Sequence, residues 1–344
     1  MKRLMVIIDG MEDEKIPELD MMQPSRFANM PALNHMRVHG EVTYKNFTPS
    51  GLEPSTDINL LSILGYKLKP GYQSRSWLEA LGHGIRVAPN DLCLRLNLIG
   101  IKNGLINSHC GYNLGNRESY AIMEKLRCRF QSDKIEFHHG GSFRNLMVIK
   151  DCNASLTALP PHEMIGKDKE ALSITCDDKV LEKHLNKIIF DSITFLEGLP
   201  ANGIALWAPG RPVSFIPKLK GKVVAASQLV KGIGKATGLE VMEVVGATAD
   251  EHTDYKAKLD AAILALKDED FVLLHLEAAD EASHQRNPLK KVNILEEIDK
   301  KILLPLLHIN ENVEITVQSD HATSSVTGRH MPLPVEVINY HTGN

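Results

Sequence analysis

Three short apolar runs, each leading into an aspartate, constrain this chain more than any other feature. Met5-Val6-Ile7-Ile8 ends at Asp9-Gly10. Phe271-Val272-Leu273-Leu274-His275-Leu276 precedes Asp280, with His284 four residues on. Val313-Glu314-Ile315-Thr316-Val317 precedes Ser319-Asp320-His321, with His330 nine residues beyond. Such runs read as buried strands of a parallel sheet, and ligands of open α/β sheets bind beyond the carboxyl ends of the strands. Carboxylates and imidazoles from opposite ends of the chain can therefore meet on one rim. That combination is ligand chemistry for a divalent transition metal.

From residue 202 onward strand-like and helix-like segments alternate. Gly203–Trp207, Lys222–Ala226, Glu240–Val245, Phe271–Leu276 and Val313–Val317 read as strands, and Ser227–Thr237, Tyr255–Leu266 and Leu289–Leu307 as helices. This rhythm predicts βαβ units and one α/β sheet. The middle of the chain differs, with helical patterns over Arg117–Phe130 and Asp178–Leu196, a strand at Asn145–Ile149 and most of the cysteines. It reads as an insertion between two halves of one core. At 344 residues the chain suffices for one large domain or two modest ones.

A formal net charge of −4 argues against a nucleic-acid partner, whose phosphates demand basic surface. No apolar stretch approaches membrane-spanning length, and the first apolar run stops at Asp9, too soon for a secretory signal. The five cysteines, Cys93, Cys110, Cys128, Cys152 and Cys176, lack zinc-ribbon spacing and read as reduced thiols. A cytoplasmic protein is expected.

Taken singly, Asp9-Gly10, Asp280 with His284, and Asp320-His321 each have an ordinary explanation as a turn or cap. Together, at three strand ends, they point to a metal site. If Asp280 lies at the start of a helix, His284 shares its face and both can hold one ion. The segment Pro54-Ser55-Thr56-Asp57-Ile58-Asn59 precedes a helix over Asp57–Leu64. A Ser55 or Thr56 hydroxyl there sits near backbone N–H groups that favour an anion, and beside a metal it can act as a nucleophile toward phosphorus. Arg75, Arg95, Arg144 and Lys218 fall in contexts that suit anion binding. Gly232-Ile233-Gly234 looks like a dinucleotide loop but lies in a helical pattern without the leading strand. His138-His139, being adjacent on a strand, should point to opposite faces.

A longer series of motifs follows in order. It runs through Asp9-Gly10, Pro54 to Leu64-Gly65-Tyr66, Arg75 with Leu78-Glu79-Ala80, Arg95-x-Asn97 and Ser142-Phe143-Arg144. It continues with Val245-Gly246-Ala247-Thr248, Tyr255-Lys256-Ala257-Lys258, Ala279-Asp280-Glu281-Ala282-Ser283-His284, and Asp320-His321 with His330. This series resembles the archaeal-type cofactor-independent phosphoglycerate mutases of the alkaline phosphatase superfamily, and their relatives proposed to be homoserine kinases.

The resemblance implies an alkaline phosphatase-like α/β core, a mostly parallel sheet flanked by helices, formed by residues 1–95 and 196–344. It implies an inserted, smaller α+β cap at 96–195. Two divalent ions, manganese or zinc, are implied, with no organic cofactor. One would take Asp280, His284 and His330, the other Asp9, Thr56, Asp320 and His321. Thr56 aligns with the family nucleophile, usually serine, and Lys218 with a lysine near the transferred phosphoryl group. Arg75, Arg95, Asn97 and Arg144 would hold substrate phosphate or carboxylate. The implied reaction interconverts 3-phosphoglycerate and 2-phosphoglycerate through a phosphothreonine, with the glycerate reorienting under a closed cap. The implied partner is thus a small phosphorylated metabolite, with no nucleic acid or membrane; oligomeric state is not given by the sequence. The chain departs from the pattern at Ser55 and Ser283, where glycine is expected, at Leu60, and at Met331-Pro332-Leu333-Pro334. The cap segment Asn107–Tyr112 lacks the expected charges. Alternatives are therefore another small phosphoryl-transfer substrate, including a homoserine kinase-like role, or a metal-binding homologue without turnover.

Overall fold

The computed structural model describes residues 1–112 and 114–343. They form two compact units, 1–72 with 215–344, and 73–214.

The first unit is built on a seven-stranded sheet. Its order is Glu240–Met242, Lys222–Val224, Phe271–Leu276, Lys2–Ile8, Val313–Gln318, Val335–His341 and Glu41–Lys45. The first five are mutually parallel, and Val335–His341 runs antiparallel to both its neighbours. All six residues of Phe271–Leu276 are buried, as a central strand covered on both faces requires. One core joins Leu4, Val6, Ile8, Leu274 and Val317 to Leu33 and Met36 of helix Pro31–His39, Leu259 of helix Tyr255–Asp268 and Ile298 of helix Pro288–Ile298. The register places the functional loops: Ile8 lies opposite Leu276, and Ile7 opposite Gln318. Three parallel strands thus end level, and the residues following each emerge on one edge. Gly10 makes this possible locally. Its φ is +66°, and a Cβ there would lie 2.8 Å from the Cα of Asp280, so only glycine lets the two loops approach.

Gly232 and Gly234 sit inside helix Gln228–Thr237, as the sequence pattern indicated. A Cβ on Gly234 would come within 2.5 Å of Val223 Cγ1, so this glycine serves close helix–sheet packing. The segment read as one helix, Leu289–Leu307, is instead Pro288–Ile298, a π-helical turn Asp299–Leu303 and a short helix Leu304–Leu306. The break has a visible partner: the Asp299 carboxylate accepts the N–H groups of Ala32 (3.0 Å) and Leu33 (2.8 Å) at the start of helix Pro31–His39. Among the described residues, no helix is long and apolar enough to cross a membrane.

The second unit is α+β. Strand Leu92–Lys102 pairs with Leu105–Ser108, Arg144–Ile149 and Gly203–Gly210, and Ile135–His138 pairs with Arg144–Ile149, all antiparallel. Asn103 and Gly104, both at positive φ, make the tight turn between the first two strands. Helices Asn116–Phe130 and Lys179–Phe195 contribute Ile122, Leu126, Leu185 and Ile189 to its own core. Residues 73–95 and 196–214, assigned to the outer core from sequence, join this unit. Helix Arg75–Gly82 lies on Leu92–Lys102 and Gly203–Gly210, and Ser76 Oγ donates to the Cys93 carbonyl at 2.7 Å.

Candidate active site

The edge where the three strands end collects Asp9, Asp280, His284, Asp320, His321 and His330. Asp280 is the third residue of helix Ala278–His284 and His284 its last, so the two meet one turn apart. His284 Nε2 lies 3.1 Å from Asp280 Oδ2 and 3.2 Å from His330 Nε2, and His330 Nε2 lies 3.6 Å from Asp280 Oδ1. Beside them, His321 Nε2 is 3.7 Å from Asp9 Oδ1 and 3.4 Å from Asp320 Oδ2. Donor atoms of Asp280, His321 and His330, and of Asp9, Asp320 and His321, converge closely enough to hold an ion each. His321 belongs to both groups, and its ring stacks on that of His330 with centroids 3.9 Å apart.

Each imidazole is fixed from behind. His284 Nδ1 meets the Gly328 carbonyl at 2.8 Å, His330 Nδ1 the Pro54 carbonyl at 3.0 Å, and His321 Nδ1 the Thr323 hydroxyl at 3.2 Å. A carbonyl can only accept, so the protons of His284 and His330 are assigned to Nδ1, and Nε2 is turned into the site.

The donor set fits a cation. Asp9 Oδ1, both Asp320 carboxylate oxygens and His321 Nε2 are buried without hydrogen-bond partners among the described residues. Unpaired buried carboxylates are costly unless a positive charge joins them. Burial, then the charges of Asp320 and Asp280, push the Asp9 carboxyl well above its usual range. Burial also opposes ionisation of Asp280, but His284 and His330 outweigh it and hold that carboxyl well below. The Asp280 carboxylate pushes His284 up to about 9 against the effect of burial, whereas burial pushes His321 down to about 4.

Thr56 is the first residue of helix Thr56–Ile63 and is buried. Its segment is tied to both groups of donors: Pro54 through its carbonyl to His330, and Asn59 Nδ2 to the Asp320 carbonyl at 2.9 Å. Ser55 Oγ donates to Asp57 Oδ1 at 2.9 Å and leaves the helix N–H groups uncapped by its side chain. Lys218 lies elsewhere. Its ammonium donates to the Gly65 carbonyl and sits 5.1 Å from the Tyr66 ring centroid, beyond the C-terminal end of that helix. With about 1.5 Å of rise per residue, this is on the order of 10 Å from the Thr56 end.

The other four residues singled out from sequence belong to the second unit. The Arg95 fork grips Glu79, with Nε 2.8 Å from Oε2 and Nη2 3.1 Å from Oε1, and stacks 4.6 Å from the Trp207 ring centroid. Asn97 donates to the His109 carbonyl at 3.1 Å and accepts Trp207 Nε1 at 3.0 Å. Arg75 opens helix Arg75–Gly82 half-buried, and Arg144 is exposed over the Phe143 ring at 4.7 Å.

Sequence reasoning missed a buried polar layer behind the site. His275, in the middle of an apolar strand, lies 3.7 Å from Asp9 Oδ2 and 3.6 Å from Glu277 Oε1. Lys258, fully buried, pairs with Glu277 at 2.7 Å. Burial opposes the Glu277 charge, but Lys258 and His275 hold its carboxyl far below the usual range. Lys291 is equally buried and pairs with Asp13 at 2.9 Å. The signal in the sequence was polarity where the strand and helix periods call for apolar residues, at His275, Lys258 and Lys291.

A mostly parallel α/β unit with buried carboxylates joined by imidazoles at its strand ends defines the class of protein. The chain belongs to the 2,3-bisphosphoglycerate-independent phosphoglycerate mutase family. A model of that family matches residues 39–202. The mutase of this name from Methanosarcina acetivorans is 32% identical, the alignment covering 99% of this chain and 91% of the relative. A probable mutase from Geobacter sulfurreducens is 30% identical over 98% and 90%. The enzymes so named are isomerases. Two solved structures share the fold. A Pyrococcus horikoshii protein is 24% identical with a TM-score of 0.80, covering 99% of this chain and 88% of that one. The cofactor-independent phosphoglycerate mutase of Thermoplasma acidophilum is 23% identical with a TM-score of 0.59, over 100% and 91%.

Proposed function

We propose that this protein interconverts 3-phosphoglycerate and 2-phosphoglycerate with Thr56 as the nucleophile and two divalent cations at the strand-end rim. The observation that carries the reading is the convergence of Asp9, Asp280, Asp320, His321 and His330, with His284 against Asp280 and His330, and the Thr56 segment tethered to both groups. Family membership supplies the substrate class. Asp280, His284 and His330 would hold one cation, and Asp9, Asp320 and His321, with the Thr56 hydroxyl, the other. Bound there, the cations would offset negative charge on the hydroxyl and the phosphoryl oxygens.

Thr56 Oγ forms a bond to phosphorus as the bond from phosphorus to the 3-oxygen breaks, and the threonine proton ends on the 3-oxygen. The helix N-terminus behind Thr56 stabilises the dianionic phosphothreonine. The 2-hydroxyl then takes the phosphoryl group, and its proton returns to Thr56. Arg75 and Arg144 are proposed to recognise the anionic groups of the substrate. The Arg95 fork and Asn97 are proposed to shape that region through their bonds to Glu79, His109 and Trp207. Lys218 is proposed to reach the phosphoryl group only after leaving the Gly65 carbonyl.

The test is phosphorus NMR of 3-phosphoglycerate with manganese-treated protein and no nucleotide. Formation of 2-phosphoglycerate, abolished in Thr56→Ala and retained in Thr56→Ser, is the expected result. Free phosphate alone would mean a phosphatase, and no reaction with this substrate would overturn the mutase reading.

A further inference from the structure

Thr323 ligates neither proposed cation, yet it touches both donor groups. Its hydroxyl donates to Asp280 Oδ1 at 2.7 Å and faces His321 Nδ1 at 3.2 Å. A hydroxyl has one proton. With that proton given to Asp280, only a lone pair remains for His321, so His321 must donate from Nδ1. This leaves its Nε2 lone pair aimed at Asp9 and Asp320, where the structure leaves it without a partner. One hydroxyl thus orients Asp280 in the first donor group and sets the tautomer of His321 in the second.

The backbone of Thr323 is locked in turn. Its N–H donates to the Glu12 carbonyl at 3.0 Å, and its carbonyl accepts the Lys291 ammonium at 2.9 Å. Lys291 also donates to the Glu12 carbonyl at 3.2 Å and to Asp13 Oδ2 at 2.9 Å. In the two-residue strand Ala322–Thr323, Thr323 is register partner to His330. Thr323, Lys291 and Asp13 are all fully buried. The hydroxyl therefore cannot shift without disturbing the loops after two of the three strands.

We propose that Thr323 is a positioning residue that sets the affinity of both cation sites through its single hydroxyl between His321 and Asp280. The inference rests on the two-cation reading above. Partners that orient metal ligands typically carry about 10–100-fold in affinity.

The test is a chelator-competition titration with Mn2+ and Zn2+ on wild type, Thr323→Val and Thr323→Ser, with folding checked by circular dichroism in EDTA. The valine keeps the shape and removes the hydroxyl; the serine keeps the hydroxyl. Expected are two ions in wild type, a loss of about 10–100-fold at both sites in the valine variant, and near-wild-type affinity in the serine variant. Wild-type affinity in Thr323→Val, a loss confined to one site, or a serine variant as weak as the valine would overturn the proposal. Failure of wild type to bind either ion would overturn the two-cation reading together with it. Should Thr323→Val not fold, metal-free wild type labelled with 15N-histidine decides: a proton on His321 Nδ1 supports the proposal, and one on Nε2 refutes it.

Discussion

Replacing Lys291 with methionine tests how the site is held together. The lysine ammonium is fully buried and makes three bonds, to the Glu12 carbonyl, Asp13 Oδ2 and the Thr323 carbonyl. Methionine fills similar volume but donates nothing, so Asp13 remains as a buried carboxylate without its cation. Breaking a buried pair from one side costs about 3–5 kcal/mol. Here Asp13 keeps the backbone N–H groups of Glu14 (2.8 Å) and Ser325 (3.0 Å), which argues for the lower end, about 3 kcal/mol. With a urea m-value of about 3 kcal/mol per molar, the midpoint should fall by about 1 M. Both tryptophans, Trp77 and Trp207, belong to the second unit, so fluorescence does not report on the first directly. Amide exchange of Leu4 and Val6 in urea and EDTA reads the first unit directly. Adding Asp13→Asn removes the stranded charge, and the double variant should recover at least about 1 kcal/mol. A double variant no more stable than Lys291→Met, or a single variant within about 0.5 kcal/mol of wild type, would refute the reasoning.

Three other perturbations separate structural from functional roles. Burial pushes the Glu12 carboxyl up from 4.5 to about 7, so the contribution of this group to folding stability should be fully present below pH 4.5 and lost as pH rises through 7. Glu12→Gln should remove that slope, worth on the order of 3 kcal/mol, in denaturation curves taken between pH 5 and 8; an unchanged slope would count against it. A cation bound through His284 would have to displace its proton, held up to about 9 by Asp280, so apparent metal affinity should rise with pH and level off above about 9; binding independent of pH from 7 to 10 would exclude this. Arg95→Lys loses the two-pronged grip on Glu79 and should destabilise the second unit by about 1–3 kcal/mol, read by tryptophan fluorescence in urea; a midpoint unchanged from wild type would count against it.

Much of the candidate site was legible because its carboxylates and imidazoles sit where strand period and strand end coincide. Asp9, Asp280 and Asp320 each follow an apolar run that reads as a buried strand, and one helical turn links Asp280 to His284. Thr56 was legible as a hydroxyl at a helix start. The roles of Arg95 and Asn97 were not, because an arginine near an anion and one gripping Glu79 look alike until the strand partner is known. Lys218 illustrates the same limit, since its sequence position says nothing of whether its long side chain turns toward Thr56 or toward Gly65. The strands Glu41–Lys45 and Val335–His341 also escaped notice, their character being set by which neighbour they pair with.

The sequence by itself thus determined the alternation of strand and helix, the apolar core and the chemical identity of the donors, because these follow from local periodicity and residue type. Only the tertiary structure decided that three strands end level, that His321 faces both donor groups, and that Thr323, Lys291 and Asp13 form the buried frame behind them. Those facts depend on register between segments some 300 residues apart, as Ile7 opposite Gln318 shows. Non-local pairing is selected by the packing of the whole core, which no short window of sequence encodes.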